Sequence, residues 1–373
     1  MEVDALLLSR LQAAALTAAH ITFPSLTVGL AGYLAVLEGL WLGSGNRVFE
    51  TLYAFWLKIF AVSLGMCVVT LAGLGCEIAA NWSLLSTPFA PLLAPRPAAA
   101  LITAVALETG LLAVMLLGWR RLDPRLHLAA TVLAALGALL LSFWLVSAAG
   151  WMQHPIVLPG PTAAEPATIG WRAAVLSPGF PSRFAHLALA SYLTTALVVG
   201  AASAWGVLRD PEEAESATAL RMGVGLVAIA APLQLVTGGG WTGDAAILEV
   251  SRAYQVMVGL GVAMIGLGVW GAWLSWRNSL ARTPVYLIAA MVMGPTGFVS
   301  VVAGWTLTGR GLPAFVVHDL LRAAGGAASV TAPVSLLAVL ALHGLVLGLG
   351  ALYVLRLIGQ GPANGEPPDV AHP

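Results

Sequence analysis

Oily and polar positions alternate along this chain in long blocks. Nine apolar runs stand out, at roughly 14–37, 53–78, 98–119, 126–149, 185–208, 221–238, 253–276, 284–306 and 334–357. A run of about 20 apolar residues is long enough to cross the hydrocarbon layer of a bilayer as a helix. Polar punctuation separates them at Gly43-Ser44-Gly45-Asn46, Arg120 to Arg125, Arg209 to Glu215, and Arg277 to Arg282. The longest connectors are the Pro-rich stretch 154–181 and the segment 307–333, and a Gly/Pro-rich tail closes the chain over 359–373. The pattern predicts an all-α membrane protein: a bundle of about nine transmembrane helices over residues 1–358, followed by a disordered C-terminal tail over 359–373.

Composition strengthens that reading. Of 373 residues, 59% are hydrophobic and only 9% charged, against about 25% charged in soluble domains. Such a chain needs lipid as its main solvent. A net charge of zero provides no basic footprint for nucleic acid. Cys67 and Cys76 share one run; at 1.5 Å per residue they stand about 13 Å apart on a helix, too far for a disulfide. No Cys-x-x-Cys-His is present, which excludes covalent c-type haem attachment. The first apolar run lacks the flanks of a removable signal peptide and is expected to stay. With the N-terminus outside, nine arginines fall inside and seven outside, the densest group being Arg120, Arg121 and Arg125. This favours an outer N-terminus and an inner C-terminus in a bacterial-type cytoplasmic membrane.

Ionisable groups within membrane spans are few and usually face a bundle interior. Here they are His20, Lys58, Glu77, Glu108, His186 and His343, with Glu38 near a helix end. Histidine is a neutral ligand for haem iron, with a second ring nitrogen that a neighbour can hold. Methionine adds a soft thioether, and a His/Met pair makes a six-coordinate electron-transfer haem. On this chemistry His20, His186 and Met257 are candidate iron ligands. The bland readings are that Met257 fills core space, that His343 bonds a neighbouring helix, and that Glu108 makes an interhelical hydrogen bond rather than relaying protons. His127, His154, His318 and His372 lie at helix ends or in loops and carry no weight alone.

At these residues the chain resembles subunit I of the cytochrome bd oxidases. Ser9-Arg10-Leu11-Gln12 with Leu16-Thr17-Ala18 and His20 looks like that family's opening helix. Phe55-Trp56 with Lys58 and Phe60, then Asn81-Trp82-Ser83, resemble its second helix and exit; Leu107-Glu108, Gly118-Trp119 and Arg121-Leu122 resemble its third. The most specific string is Gly150-Trp151-Met152-Gln153-His154-Pro155, followed by Phe184, His186 and Met257-Val258. The resemblance implies that His186 and Met257 are the axial pair of a low-spin b haem. It implies that His20 binds a haem of the oxygen-reactive centre, that Glu108 delivers protons there, and that Arg310 lies beside a haem. It also implies haem b in one to three copies, with haem d as an alternative macrocycle, and a second multi-span subunit as partner.

The chain departs from the family pattern at four places. The connector between the sixth and seventh spans, about 239–252, is short and lacks the lysine-glutamate pair of a quinol-oxidising loop. Ala100 replaces a second acid of the third span, and the acid expected on the second falls at Gly75, with Glu77 close by. Leu307-Thr308-Gly309-Arg310 stands where the family has Glu-x-Gly-Arg, whose glutamate is an axial ligand. Glu77, His343 or a backbone group is a candidate to fill that vacancy; otherwise the subunit holds fewer haems. The expected function is therefore a divergent bd-type oxidase subunit I, an oxidoreductase whose electron donor is a redox protein or quinol, with a donor other than quinol favoured. The alternative is a haem b relay in a larger respiratory complex, without oxygen reduction of its own. A transporter has no support, since no inverted repeat or pair of broken helices is evident.

Overall fold

A computed structural model describes residues 5–81, 96–119, 121–153, 180–238, 252–311 and 332–362, and among these it is helical with no strand. The helices are α1 (Ala5–Ser44), α2 (Arg47–Asn81), α3 (Arg96–Leu117), α4 (Pro124–Gln153), α5 (Phe180–Arg209), α6 (Ala214–Gly238), α7 (Arg252–Trp276), α8 (Pro284–Met293), α9 (Thr296–Gly311) and α10 (Ala332–Gln360). A single 3-10 turn, Leu280–Arg282, precedes α8. Eight stretches among the described residues are long and apolar enough to cross a membrane, and Ile102–Leu117 of α3 is a shorter apolar helix. The nine expected runs therefore all form helices. The tail expected to be disordered lies mostly outside the described residues, with α10 running as far as Gln360.

The eighth run differs from the single helix its hydropathy suggests. It breaks at Gly294-Pro295 into α8 and α9. Pro295 has no N–H to give the Met291 carbonyl; the Gly294 N–H reaches that carbonyl instead, at 3.2 Å. The expected polar punctuation forms the turns. Asn46 Oδ1 accepts the Val48 N–H at 3.0 Å, Asp123 Oδ1 the Arg125 N–H at 2.9 Å, and Asp210 Oδ1 the Glu212 N–H at 3.0 Å. The first two satisfy donors that a starting helix leaves without a partner, and the third holds the turn that precedes α6. The Arg209 guanidinium donates to the Gly359 carbonyl, which ties the end of α5 to the end of α10.

α1 is the central helix, packed by α2, α4, α5, α9 and α10. One apolar cluster joins Leu30, Leu34 and Leu37 to Tyr53, Trp56 and Phe60; a second joins α5, α6, α7 and α8 through Leu197, Leu220, Val227, Met264 and Tyr286. Lipid offers no hydrophobic drive between helices, so close van der Waals approach must hold them, and small residues permit it. A Cβ on Gly268 would stand 2.8 Å from the Ala228 Cα, and one on Gly29 would stand 2.6 Å from the Ser191 carbonyl oxygen. Large apolar side chains such as Ile229, Val236, Val262, Val285 and Leu345 point outward, as a lipid-facing surface requires.

Candidate functional site

His186 and Met257 line one cavity of about 250 Å³, bounded by α5, α6, α7 and α9. They are the expected axial pair, brought together here from residues 71 positions apart in the sequence. The remaining wall is mainly apolar, including Leu187, Leu193, Met264, Val301 and Leu307, with Arg183, Gln234, Tyr254 and Ser300 as polar insertions. Two glycines keep the ligands uncovered. A Cβ on Gly238 would lie 3.0 Å from His186 Cε1, and one on Gly304 would lie 3.3 Å from the Met257 sulfur.

Both ring nitrogens of His186 have hydrogen-bond partners. Nδ1 lies 3.3 Å from Thr237 Oγ1. The single Thr237 hydroxyl hydrogen goes to the Gln234 carbonyl at 3.1 Å, so towards His186 the hydroxyl oxygen accepts and Nδ1 donates. On the other side, the Gln234 side-chain nitrogen lies 3.0 Å from His186 Nε2. Gln234 Oε1 is buried with no hydrogen-bond partner among the described residues.

His20 is arranged in the same way on other helices. Its Nδ1 lies 3.0 Å from Thr70 Oγ1 across the α1/α2 seam. Thr70 directs its own hydrogen to the Met66 carbonyl at 2.9 Å, with the Cys67 carbonyl at 3.1 Å. His20 Nδ1 is therefore again the donor, and Nε2 keeps its lone pair. Pro24 sits one turn on within α1 and cannot bond the His20 carbonyl, which loosens the ladder at this residue. His343 approaches the next turn of the same face of α2: a Cβ on Gly73 would stand 2.0 Å from its Nε2. Glu77 and Arg310 lie within α2 and α9, but their side chains fall outside the described residues, as do His154, His318 and the connector 239–251.

Glu108 is buried on α3, 3% exposed. Its Oε1 has no hydrogen-bond partner among the described residues and rests against α4, where a Cβ on Gly137 would stand 1.9 Å away. Two turns on along α3, the Met115 carbonyl takes part in a polar cluster that sequence reasoning missed. His127, set aside as a helix-end residue, is 2% exposed and Glu38 is 0% exposed. His127 Nδ1 lies 2.7 Å from Glu38 Oε1, and Nε2 donates to the Met115 carbonyl at 3.2 Å. Thr131 donates to Glu38 Oε2 at 2.6 Å, and the Tyr53 hydroxyl lies 3.2 Å from Thr131 Oγ1. One proton occupies the Glu38–His127 bond whichever partner holds it. Trp119 closes the cluster, stacked on Tyr53 with ring centroids 4.6 Å apart.

Arg183, Gln234 and Thr237 were also missed. Arg183 carried a signal: it precedes His186 by three residues, the spacing that puts two side chains on one helix face. Gln234 and Thr237 carried none beyond being polar on an apolar run. Among the described residues, no three His, Cys, Asp or Glu side chains group as a metal cage. One or two axial side chains suffice for an iron already held by a macrocycle.

Comparison with known proteins follows the same lines. A family model described as cytochrome bd terminal oxidase subunit I matches residues 8–248 and 245–362. Subunit 1 of the cytochrome bd-II ubiquinol oxidase of Escherichia coli K12 is 28% identical over 295 residues, 77% of this chain and 53% of the relative. The match thus spans about half of that relative's length. Subunit 1 of the cytochrome bd ubiquinol oxidase of Bacillus subtilis 168 is 24% identical over 437 residues, covering 95% of this chain and 93% of the relative. The solved structure of bd oxidase from Geobacillus thermodenitrificans superposes with a TM-score of 0.84 at 17% identity, over 96% of this chain and 99% of that one. At that identity the likeness shows the fold.

Proposed function

Because this chain belongs to the cytochrome bd terminal oxidase subunit I family, we propose that it is a divergent subunit I that carries electrons through b-type haem towards an oxygen-reducing centre. The observation that carries the reading is the mainly apolar cavity lined by both His186 and Met257. Haem bound there supplies reversible one-electron transfer, and at a centre with an open iron position it supplies oxygen chemistry. His186 and Met257 hold the low-spin group, and the apolar wall excludes water from it. Arg183, on the same cavity wall, provides a cation suited to a propionate. His20 would hold a haem of the oxygen-reactive centre, Arg310 would supply a cation for a haem, and Glu108 would carry protons towards that centre.

The partner is a second multi-span subunit, and the assembly lies in a bacterial cytoplasmic membrane with the N-terminus outside. The donor is a redox protein rather than quinol, because only 239–251 connects α6 to α7. Leu307, buried in the cavity wall, stands where the family resemblance leads one to expect a ligating glutamate. That observation favours a second reading, a haem b relay without oxygen reduction of its own.

Redox difference spectra of the purified complex, taken with and without CO, separate the two. A CO-sensitive high-spin haem beside a low-spin haem that His186→Ala abolishes is the expected result. A wholly low-spin, CO-inert spectrum selects the relay. A complex without haem overturns both.

A further inference from the structure

We infer that Thr237 is a positioning residue that fixes the tautomer and electron-donating strength of His186, and that Thr70 does the same for His20. The inference rests on the haem reading above. It starts from a property of threonine within a helix: the hydroxyl owns one hydrogen, and a carbonyl one turn back usually receives it.

Thr237 follows this rule by donating to Gln234 O at 3.1 Å, and Thr70 by donating to Met66 O at 2.9 Å. Each oxygen then has only lone pairs to offer, and each meets a histidine Nδ1, at 3.3 Å for His186 and 3.0 Å for His20. The two histidines lie on different helices, α5 and α1, and their threonines on α6 and α2. The same device thus occurs twice, at two independent seams. At His186 the Gln234 side-chain amide lies 3.0 Å from the other ring nitrogen, Nε2.

A free imidazole exchanges its proton between its two nitrogens; these two are held with the proton on Nδ1 and the lone pair on Nε2. An acceptor on the far nitrogen also pushes electron density through the ring, making Nε2 a stronger donor. A stronger donor favours the ferric over the ferrous state and lowers the midpoint potential. Thr237 acts through His186 and touches no haem-binding position itself.

The test is a redox titration of the low-spin haem absorbance in the purified complex, with haem content measured first. Thr237→Val keeps the shape and removes the acceptor; Thr237→Ser keeps the acceptor. The expected result for Thr237→Val is a raised midpoint, by roughly a tenfold change in the ferric-to-ferrous binding ratio, the lower end for loss of an outer partner, or about 59 mV for a one-electron couple. Thr237→Ser is expected to match the parent. Loss of haem from Thr237→Val with a normal Thr237→Ser supports the inference equally. An unchanged midpoint in Thr237→Val overturns it, and so does the same loss in both variants. Thr70→Val is the reciprocal control: it is expected to leave the low-spin midpoint unchanged, and a shift there would also overturn the assignment. Failure of the haem reading itself looks different, because His186→Ala would then leave the spectrum of the complex intact.

Discussion

Replacing Glu38 or His127 by leucine removes one member of a pair that is almost wholly enclosed, at 0% and 2% exposure. The bond between them is 2.7 Å long. A buried ionisable group that loses its partner destabilises a fold by about 3–5 kcal/mol, whereas replacing both partners by apolar groups is often near neutral. In Glu38→Leu, His127 Nδ1 and the Thr131 hydroxyl both lose their contact. In His127→Leu, Glu38 keeps only Thr131, at 2.6 Å. In the double variant neither ionisable group remains, and Thr131 can turn its hydrogen to the His127-position carbonyl, 3.3 Å away; the residual cost is about 1–2 kcal/mol for unpaired polar groups. The two single losses, about 6–10 kcal/mol together, therefore exceed the double loss by several kcal/mol. Glu38→Gln retains a donor for Nδ1 and an acceptor for Thr131 and should cost only about 1 kcal/mol. Denaturation of the purified complex in mixed micelles, followed by tryptophan fluorescence, measures this directly. Trp119 is the local reporter, 5.1 Å centroid to centroid from the His127 ring. Single losses below about 1 kcal/mol, or a double loss equal to their sum, would refute the account of this cluster as a tightly coupled buried pair.

Two further substitutions follow from close contacts. Gly137→Ala places a Cβ 1.9 Å from Glu108 Oε1 and forces the carboxyl group to rotate while leaving the acid in the chain. Oxygen consumption should fall about tenfold, equivalent to about 1.4 kcal/mol of barrier, with haem spectra unaltered; undiminished turnover removes Glu108's position from the proposed proton route. Gly29→Ala meets Thr195 Oγ1 at 2.1 Å and the Ser191 carbonyl oxygen at 2.6 Å, and the backbone atom cannot swing aside. A loss of about 1–3 kcal/mol is expected from this overpacking. Gly39→Ala, on the same helix but with nothing within 4 Å, should be neutral or slightly stabilising, and thermal unfolding of the two variants compares them side by side.

Much of this protein is legible before folding is considered. With 59% hydrophobic and 9% charged residues, the chain must take lipid as solvent. In lipid every backbone amide needs an internal partner, so apolar runs of about 20 residues become helices. His186, Met257, His20 and Glu108 are conspicuous for the same reason, because a polar atom in such a run is costly and invites a specific role. The break at Gly294-Pro295 was not legible in this way, since Pro24 and Pro232 lie inside continuous helices and a proline alone does not mark where a run divides.

Only the tertiary structure decided which side chains meet. Hydropathy and periodicity are local quantities, whereas contacts between helices depend on the register and crossing of whole surfaces. His127 is unremarkable near a helix end until α1 brings Glu38 against it and α3 offers the Met115 carbonyl. Gln234 and Thr237 become partners of His186 only because α6 lies along α5. The tautomers of His186 and His20 depend on where two threonine hydrogens are directed, which no spacing along the chain encodes. The sequence by itself determined the solvent, the helices and the residues costly enough to matter. Packing determined the pairings, and with them the partners that each histidine ring meets.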